Sequence, residues 1–238
     1  MDYYWIMLII AMASLIKGMT GFGFALVAFP PLLIFYSPKE LIPVLILCNL
    51  LASLMIILQK KKKRLVNTQF RSLIVFGALF TIVGVLTLNY ISERALMVIM
   101  SIFFILLASL SLLGVKYSFK LTDLSYRVAG AILGFLTGSI SISGPPLALF
   151  MNVAKVDNQV FREVFSWFSI VTATIALIGY GLIGLLTMET IKMTMLFLPW
   201  LFVGSFIGKR LNQYASPALF QKISMVITLL SSVMLLLK

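Results

Sequence analysis

Residues 18–32 read GMTGFGFALVAFPPL, and residues 137–151 read TGSISISGPPLALFM. Each sets a Gly-, Ser- or Thr-rich stretch and a Pro-Pro pair inside a segment that is otherwise apolar. Main-chain groups released by a broken helix find no water in hydrocarbon, so such breaks persist only where protein or a wet cavity surrounds them. Two of them in one chain point to a membrane protein with discontinuous helices.

Composition leads to the same class. Of 238 residues, 61% are hydrophobic and 11% charged, a balance that leaves too little polar surface to cover a soluble domain. Apolar segments run at about 41–58, 70–89, 95–115, 161–185, 191–208 and 218–237. Most reach the ~20 residues that a helix needs to cross ~30 Å of hydrocarbon. Two further segments, 3–36 and 124–152, contain the breaks. The expected fold is an all-α polytopic integral membrane protein.

Aligning the proline pairs superposes PPLLIF on PPLALF, at an offset of 115 residues from Pro30 to Pro145. A second echo follows, because Gly84, Tyr90 and Ser92 are spaced like Gly208, Tyr214 and Ser216, at an offset of 124. Duplication of a four-element unit explains both matches, giving an N-terminal repeat at 1–118 and a C-terminal repeat at 119–238.

Whether the repeats are parallel or inverted depends on the broken segments. If each crosses once, there are eight crossings and the repeats are parallel. If each is a hairpin that enters and leaves on one side, each half makes three crossings and the repeats are inverted. The basic cluster Lys60, Lys61, Lys62, Lys63 and Arg64 reads as a cytoplasmic loop, with attraction to anionic lipid as an added reading. With it fixed inside, eight crossings place eleven Lys/Arg inside and seven outside; hairpins place fourteen inside and four outside, Lys17 being left uncounted. The positive-inside rule therefore favours hairpins and inverted repeats.

Half-helix N-termini present unpaired amides and partial positive charge, which suits an anion, and glycine lets a ligand approach the backbone. The candidates are Thr20, Gly21, Phe22 and Gly23 at the first break, and Thr137, Gly138, Ser139, Ser141, Ser143 and Gly144 at the second. The competing reading is close helix packing by the glycines and self-bonding by the hydroxyls. Pro30, Pro31, Pro145 and Pro146 read as structural helix breakers. Lys17, an ionisable group at membrane depth, is read either as a partner for an anion or a proton, or as a lysine snorkelling to the interface. Arg162, with Ser166 one turn on, either grips an oxyanion or sets topology. Asn49 either bonds across helices or lines a cavity.

Other chemistries are constrained by what is missing. The chain has no histidine and one cysteine, Cys48, so His-based acid-base chemistry, zinc sites and intramolecular disulfides are excluded. No cofactor or metal is expected. The net charge of +12 is explained by loop topology without nucleic acid. No GxxxxGK[ST] motif is present, which argues against ATP hydrolysis by this chain. The N-terminus lacks the pattern of a cleaved signal peptide, so the first stretch is expected to stay in the mature chain.

The motifs GMTGFGFALVAFPPL at 18–32 and SGPPLALFM at 143–151, with the basic segment from Lys155 to Arg162, resemble the sulfite exporter TauE/SafE family, also called the toluene sulfonate uptake permease family. The resemblance implies a secondary transporter of small sulfur oxyanions or organosulfonates, such as sulfite or sulfoacetate, in the bacterial cytoplasmic membrane. It assigns Gly21, Gly23, Gly144, Pro145 and Arg162 to the family's motif positions. Phe24 departs from the commoner triple-glycine form, and Ser-x-Ser-x-Ser precedes Gly144, so the substrate need not be that of the named members. Alternating access around two breaks that meet near the midplane, with H+ or another ion as coupling partner and lipid as surroundings, is the leading expectation. The alternatives are an anion channel and, with only seven carboxylates available, a membrane-embedded enzyme.

Overall fold

A computed structural model describes residues 2–20, 23–58, 70–113, 121–154, 156, 158–211 and 217–237. Gly21, Phe22, the Lys60–Arg64 cluster and the Tyr214 and Ser216 echo lie outside the described residues. The described chain is all-helical: α1 (Asp2–Thr20), α2 (Phe24–Leu32), α3 (Pro38–Leu58), α4 (Arg71–Tyr90), α5 (Glu93–Leu112), α6 (Asp123–Ile140), α7 (Gly144–Val153), α8 (Asn158–Leu182), α9 (Met188–Leu211) and α10 (Pro217–Leu236).

Among the described residues, five helices are long and apolar enough to span a membrane: Pro38–Leu58, Arg71–Tyr90, Glu93–Leu112, Val160–Leu182 and Met188–Leu211. They account for five of the six expected spans. The sixth is α10, whose shorter apolar stretch is Met225–Leu236.

Helix starts are fixed by local chemistry. Ser37 and Glu40 bond each other's main chain reciprocally at the head of α3, at 3.1 and 3.4 Å. Thr122 and Ser125 do the same for α6, and Thr187 and Thr190 for α9. Ser92 accepts from the Ala95 amide at the start of α5. These bonds satisfy first-turn amides that helical bonding leaves free.

The helices gather into two compact units that cross the repeat boundary. One comprises residues 1–48, 91–115 and 187–238; the other comprises 49–90 and 116–186. Each thus draws helices from both sequence halves.

In the second unit, α4 and α6 are parallel and in direct backbone contact. A Cβ added at Gly130, Gly134 or Gly138 would overlap the carbonyl of Leu73, Gly77 or Thr81 in turn. Both rows advance by four residues, so the two helices run in the same direction. Their starts are joined by the Ser72 hydroxyl donating to Asp123 at 2.7 Å and by the Phe70 and Tyr126 rings, 5.7 Å apart. Without a hydrophobic drive between helices in lipid, such close approach supplies the packing that holds them together.

The course of α7 settles the path of the second broken segment. The rings of Tyr126 in α6 and Phe150 in α7 are 5.3 Å apart, edge to face. A continuous helix would separate these residues by about 36 Å, so α7 turns back along α6. Helix α8 then runs parallel to α4 and α6: Phe168 lies on Gly77, further along Gly179 lies on Val85, and the Tyr180 hydroxyl donates to the Gly138 carbonyl at 2.8 Å. A single crossing through α6 and α7 would make α8 antiparallel to α6. The segment 124–152 is therefore a hairpin, as the distribution of basic residues indicates.

The first unit repeats the close helix pair. Gly204 and Gly208 of α9 lie against the Ala11 and Leu15 carbonyls of α1, both rows advancing by four, so this pair is again parallel, and Gly18 of α1 lies against the Ser205 carbonyl. Helix α2 packs against α1, α10 and α5, with the Phe29 and Phe104 rings 6.0 Å apart.

Candidate functional site

The two breaks differ in construction. At the first, Gly23 has a φ of 92° and serves as N-cap of α2 with no side-chain capping bond. The first-turn amides of Phe24, Ala25 and Leu26 have no acceptor within the helix. Lys17 lies in the last turn of α1, is only 2% exposed, and places its Nζ 5.8 Å from the Phe24 ring centroid. Gly208 packs on Leu15 and Gly18, so Lys209 and Arg210, both exposed, stand level with that last turn. Lys17 and a half-helix N-terminus thus lie at this break, while Lys209 and Arg210 stand level with it on the exposed surface of α9, Arg210 against the Phe206 ring.

At the second break, α6 ends in a left-handed residue, Ser141, with a φ of 60°. The Ser141 and Ile142 amides bond back to the Thr137 and Leu136 carbonyls at 3.0 and 3.4 Å. Helix α7 begins at Gly144 with Pro145 and Pro146 next, so two of its first-turn positions have no N–H. Ser143, its N-cap, is buried and makes no side-chain capping bond. Sequence positions 128–154, which contain this break, include no Lys or Arg.

The hydroxyls sort by their partners. Thr137 donates to the Leu133 carbonyl and Ser139 to that of Phe135, both at 2.7 Å. Thr20 donates to Ile16 at 2.9 Å and Ser166 to Arg162 at 2.6 Å. A hydroxyl has one hydrogen, so in this arrangement these four have none to offer an anion. Ser141 differs, because its Oγ is buried with no hydrogen-bond partner.

Several expectations change. Gly138 lies in the helix contact with Thr81 rather than open to a ligand. Pro30 and Pro31 lie inside α2, while Pro145 and Pro146 sit at the start of α7. Pro30 cannot donate to the Leu26 carbonyl, and the Thr228 hydroxyl of α10 takes that role at 3.1 Å. Arg162 is half-buried near the start of α8, 18 residues before Tyr180, and so about 27 Å from the level where Tyr180 meets Gly138. It belongs to the end where α4 and α6 begin, away from the second break. Nor does that break lie midway along its neighbours: Val85, beside Gly138, is five residues from the end of α4, about 8 Å. Asn49 is half-buried in α3.

Sequence reasoning overlooked Thr228 and Tyr180, whose hydroxyls serve backbone carbonyls near the breaks. Each shares its helix with other hydroxyls, so nothing in the sequence singled it out.

The family model described as Sulfite exporter TauE/SafE matches residues 6–235 of the chain. No curated protein and no solved structure matches it.

Proposed function

We infer that this chain, which belongs to the sulfite exporter TauE/SafE family of membrane transporters, receives a small sulfur oxyanion or organosulfonate at its first break. The observation that carries this reading is the N-terminus of α2, begun at the left-handed Gly23, beside the buried Lys17. Amides aimed along a helix axis carry partial positive charge, and a buried ammonium adds a full one once an anion accompanies it. Together they suit the compact charge of a sulfite or sulfonate group.

The carrier works by alternating access, driven by an ion gradient. The first broken segment repeats the hairpin of the second, which makes the halves inverted repeats. With the Lys60–Arg64 loop cytoplasmic, the C-terminus is then outside the cytoplasmic membrane of a bacterium. A reporter enzyme fused after Lys238 should be active only in its extracytoplasmic form; a cytoplasmic signal would contradict the inverted arrangement.

Transport itself is tested with the purified chain in proteoliposomes, using radiolabelled sulfite and sulfoacetate under an imposed proton or sodium gradient. Saturable accumulation against the anion's own gradient is the expected result. Flux that never exceeds equilibration would indicate a channel, and no flux of either anion would remove the assignment.

A further inference from the structure

We propose that the α6–α7 break binds a monovalent alkali cation, held by the Ser141 hydroxyl and the main-chain carbonyls of the turn, as the ion that drives the carrier. This rests on the reading of the chain as a gradient-driven transporter and names its coupling partner.

Ser141 carries the argument. It occupies the left-handed position that ends α6, where glycine is the usual residue because it has no Cβ to strain. Serine there places a hydroxyl at the turn, 3% exposed and without a protein partner. Two and four residues earlier, Ser139 and Thr137 meet the ordinary fate of membrane-helix hydroxyls and bond the preceding turn. A buried, unpartnered hydroxyl is a cost unless something not yet present engages it.

The surroundings favour a cation. The last carbonyls of a helix form its partially negative end. Pro145 and Pro146 have no N–H, so the Ser141 and Ile142 carbonyls lose the donors that a helix would supply four residues on. The two prolines leave the start of α7 with fewer donors than that of α2, the Ser143 and Gly144 amides remaining. No Lys or Arg falls within 128–154 to compete for the turn. No Asp or Glu falls within 124–156 either, and divalent cations are usually held by carboxylates, so neutral oxygens point to a singly charged ion. Discontinuous helices in transporters use unwound carbonyls in this way.

The test follows thermal unfolding of the full chain in lipid nanodiscs, by intrinsic fluorescence, in choline chloride with NaCl or KCl substituted at constant ionic strength. The expected result is a saturable rise in Tm with sodium or potassium that choline does not give. Ser141→Ala should raise the half-saturating concentration about tenfold or more. Ser141→Gly suits the left-handed backbone and so should fold well, yet it should lose the response to the same degree. Identical unfolding in all three salts, or an unchanged response in Ser141→Gly, would overturn the proposal. Sulfite added in choline alone reports the anion site separately. A sulfite shift without a cation shift removes only the cation site, and a cation shift without any sulfite shift leaves it standing while removing the anion reading.

Discussion

The two breaks share a scaffold and differ in charge. Counting from the helix ends, α1 maps onto α6 with an offset of 120 residues, and aligning Gly208 with Gly84 maps α9 onto α4 with an offset of 124. On that map Gly18 and Ser205 correspond to Gly138 and Thr81, and Gly208 and Leu15 to Gly84 and Phe135. In each unit the corresponding backbones touch in the same way. Yet Lys17 corresponds to Thr137, and Lys209 and Arg210 to Val85 and Leu86. The two units share the contacts that set helix spacing and differ in charge, Lys17 lying at the first break and no Lys or Arg falling within 128–154 around the second.

Substitutions at the shared contacts should have the largest effect, and a similar one in both units. Gly138→Leu must force apart backbones already in contact, and Gly18→Leu should do the same in the first unit. Each is expected to lower stability by about 3 kcal/mol or to prevent folding, read as loss of the monodisperse peak in size-exclusion chromatography. A large loss at one glycine with none at the other would break the correspondence.

Substitutions at the divergent positions should separate the units. Lys17→Met keeps a similar length and removes the charge, and should cut sulfite uptake by about tenfold or more while the protein still folds. The corresponding change, Thr137→Val, removes a hydroxyl already engaged by its own helix and should alter uptake less than about threefold. Equal losses in the two variants would mean that the charge difference has no functional meaning.

A smaller effect is expected where a hydroxyl serves the backbone. Thr228→Val leaves the Leu26 carbonyl without the donor that Pro30 cannot provide, and should cost about 1 kcal/mol in thermal or denaturant unfolding. An unchanged midpoint would mean that another donor satisfies this carbonyl.

Much of this architecture was legible in the chain. Apolar length gave the spans, and Gly, Ser and Pro within apolar runs marked the breaks. Basic residues favoured the hairpin because loop charge follows membrane sidedness. The internal register was less legible. Aligning Pro30 with Pro145 gives an offset of 115, whereas the helix ends differ by 120, because one pair closes a half-helix and the other opens one. Nor could the interleaved units be read, since the α1–α9 and α4–α6 contacts join segments far apart in sequence. The glycines announced close approach without naming the backbone approached. Ser141 looked like its neighbours until its left-handed φ deprived the hydroxyl of the usual carbonyl.

The most direct measurement is a density map of the protein in nanodiscs with sulfite. The account predicts anion density within hydrogen-bonding distance of the Phe24, Ala25 and Leu26 amides and of Lys17 Nζ. Anion density in the α6–α7 turn, with the N-terminus of α2 empty at saturating sulfite, would contradict it.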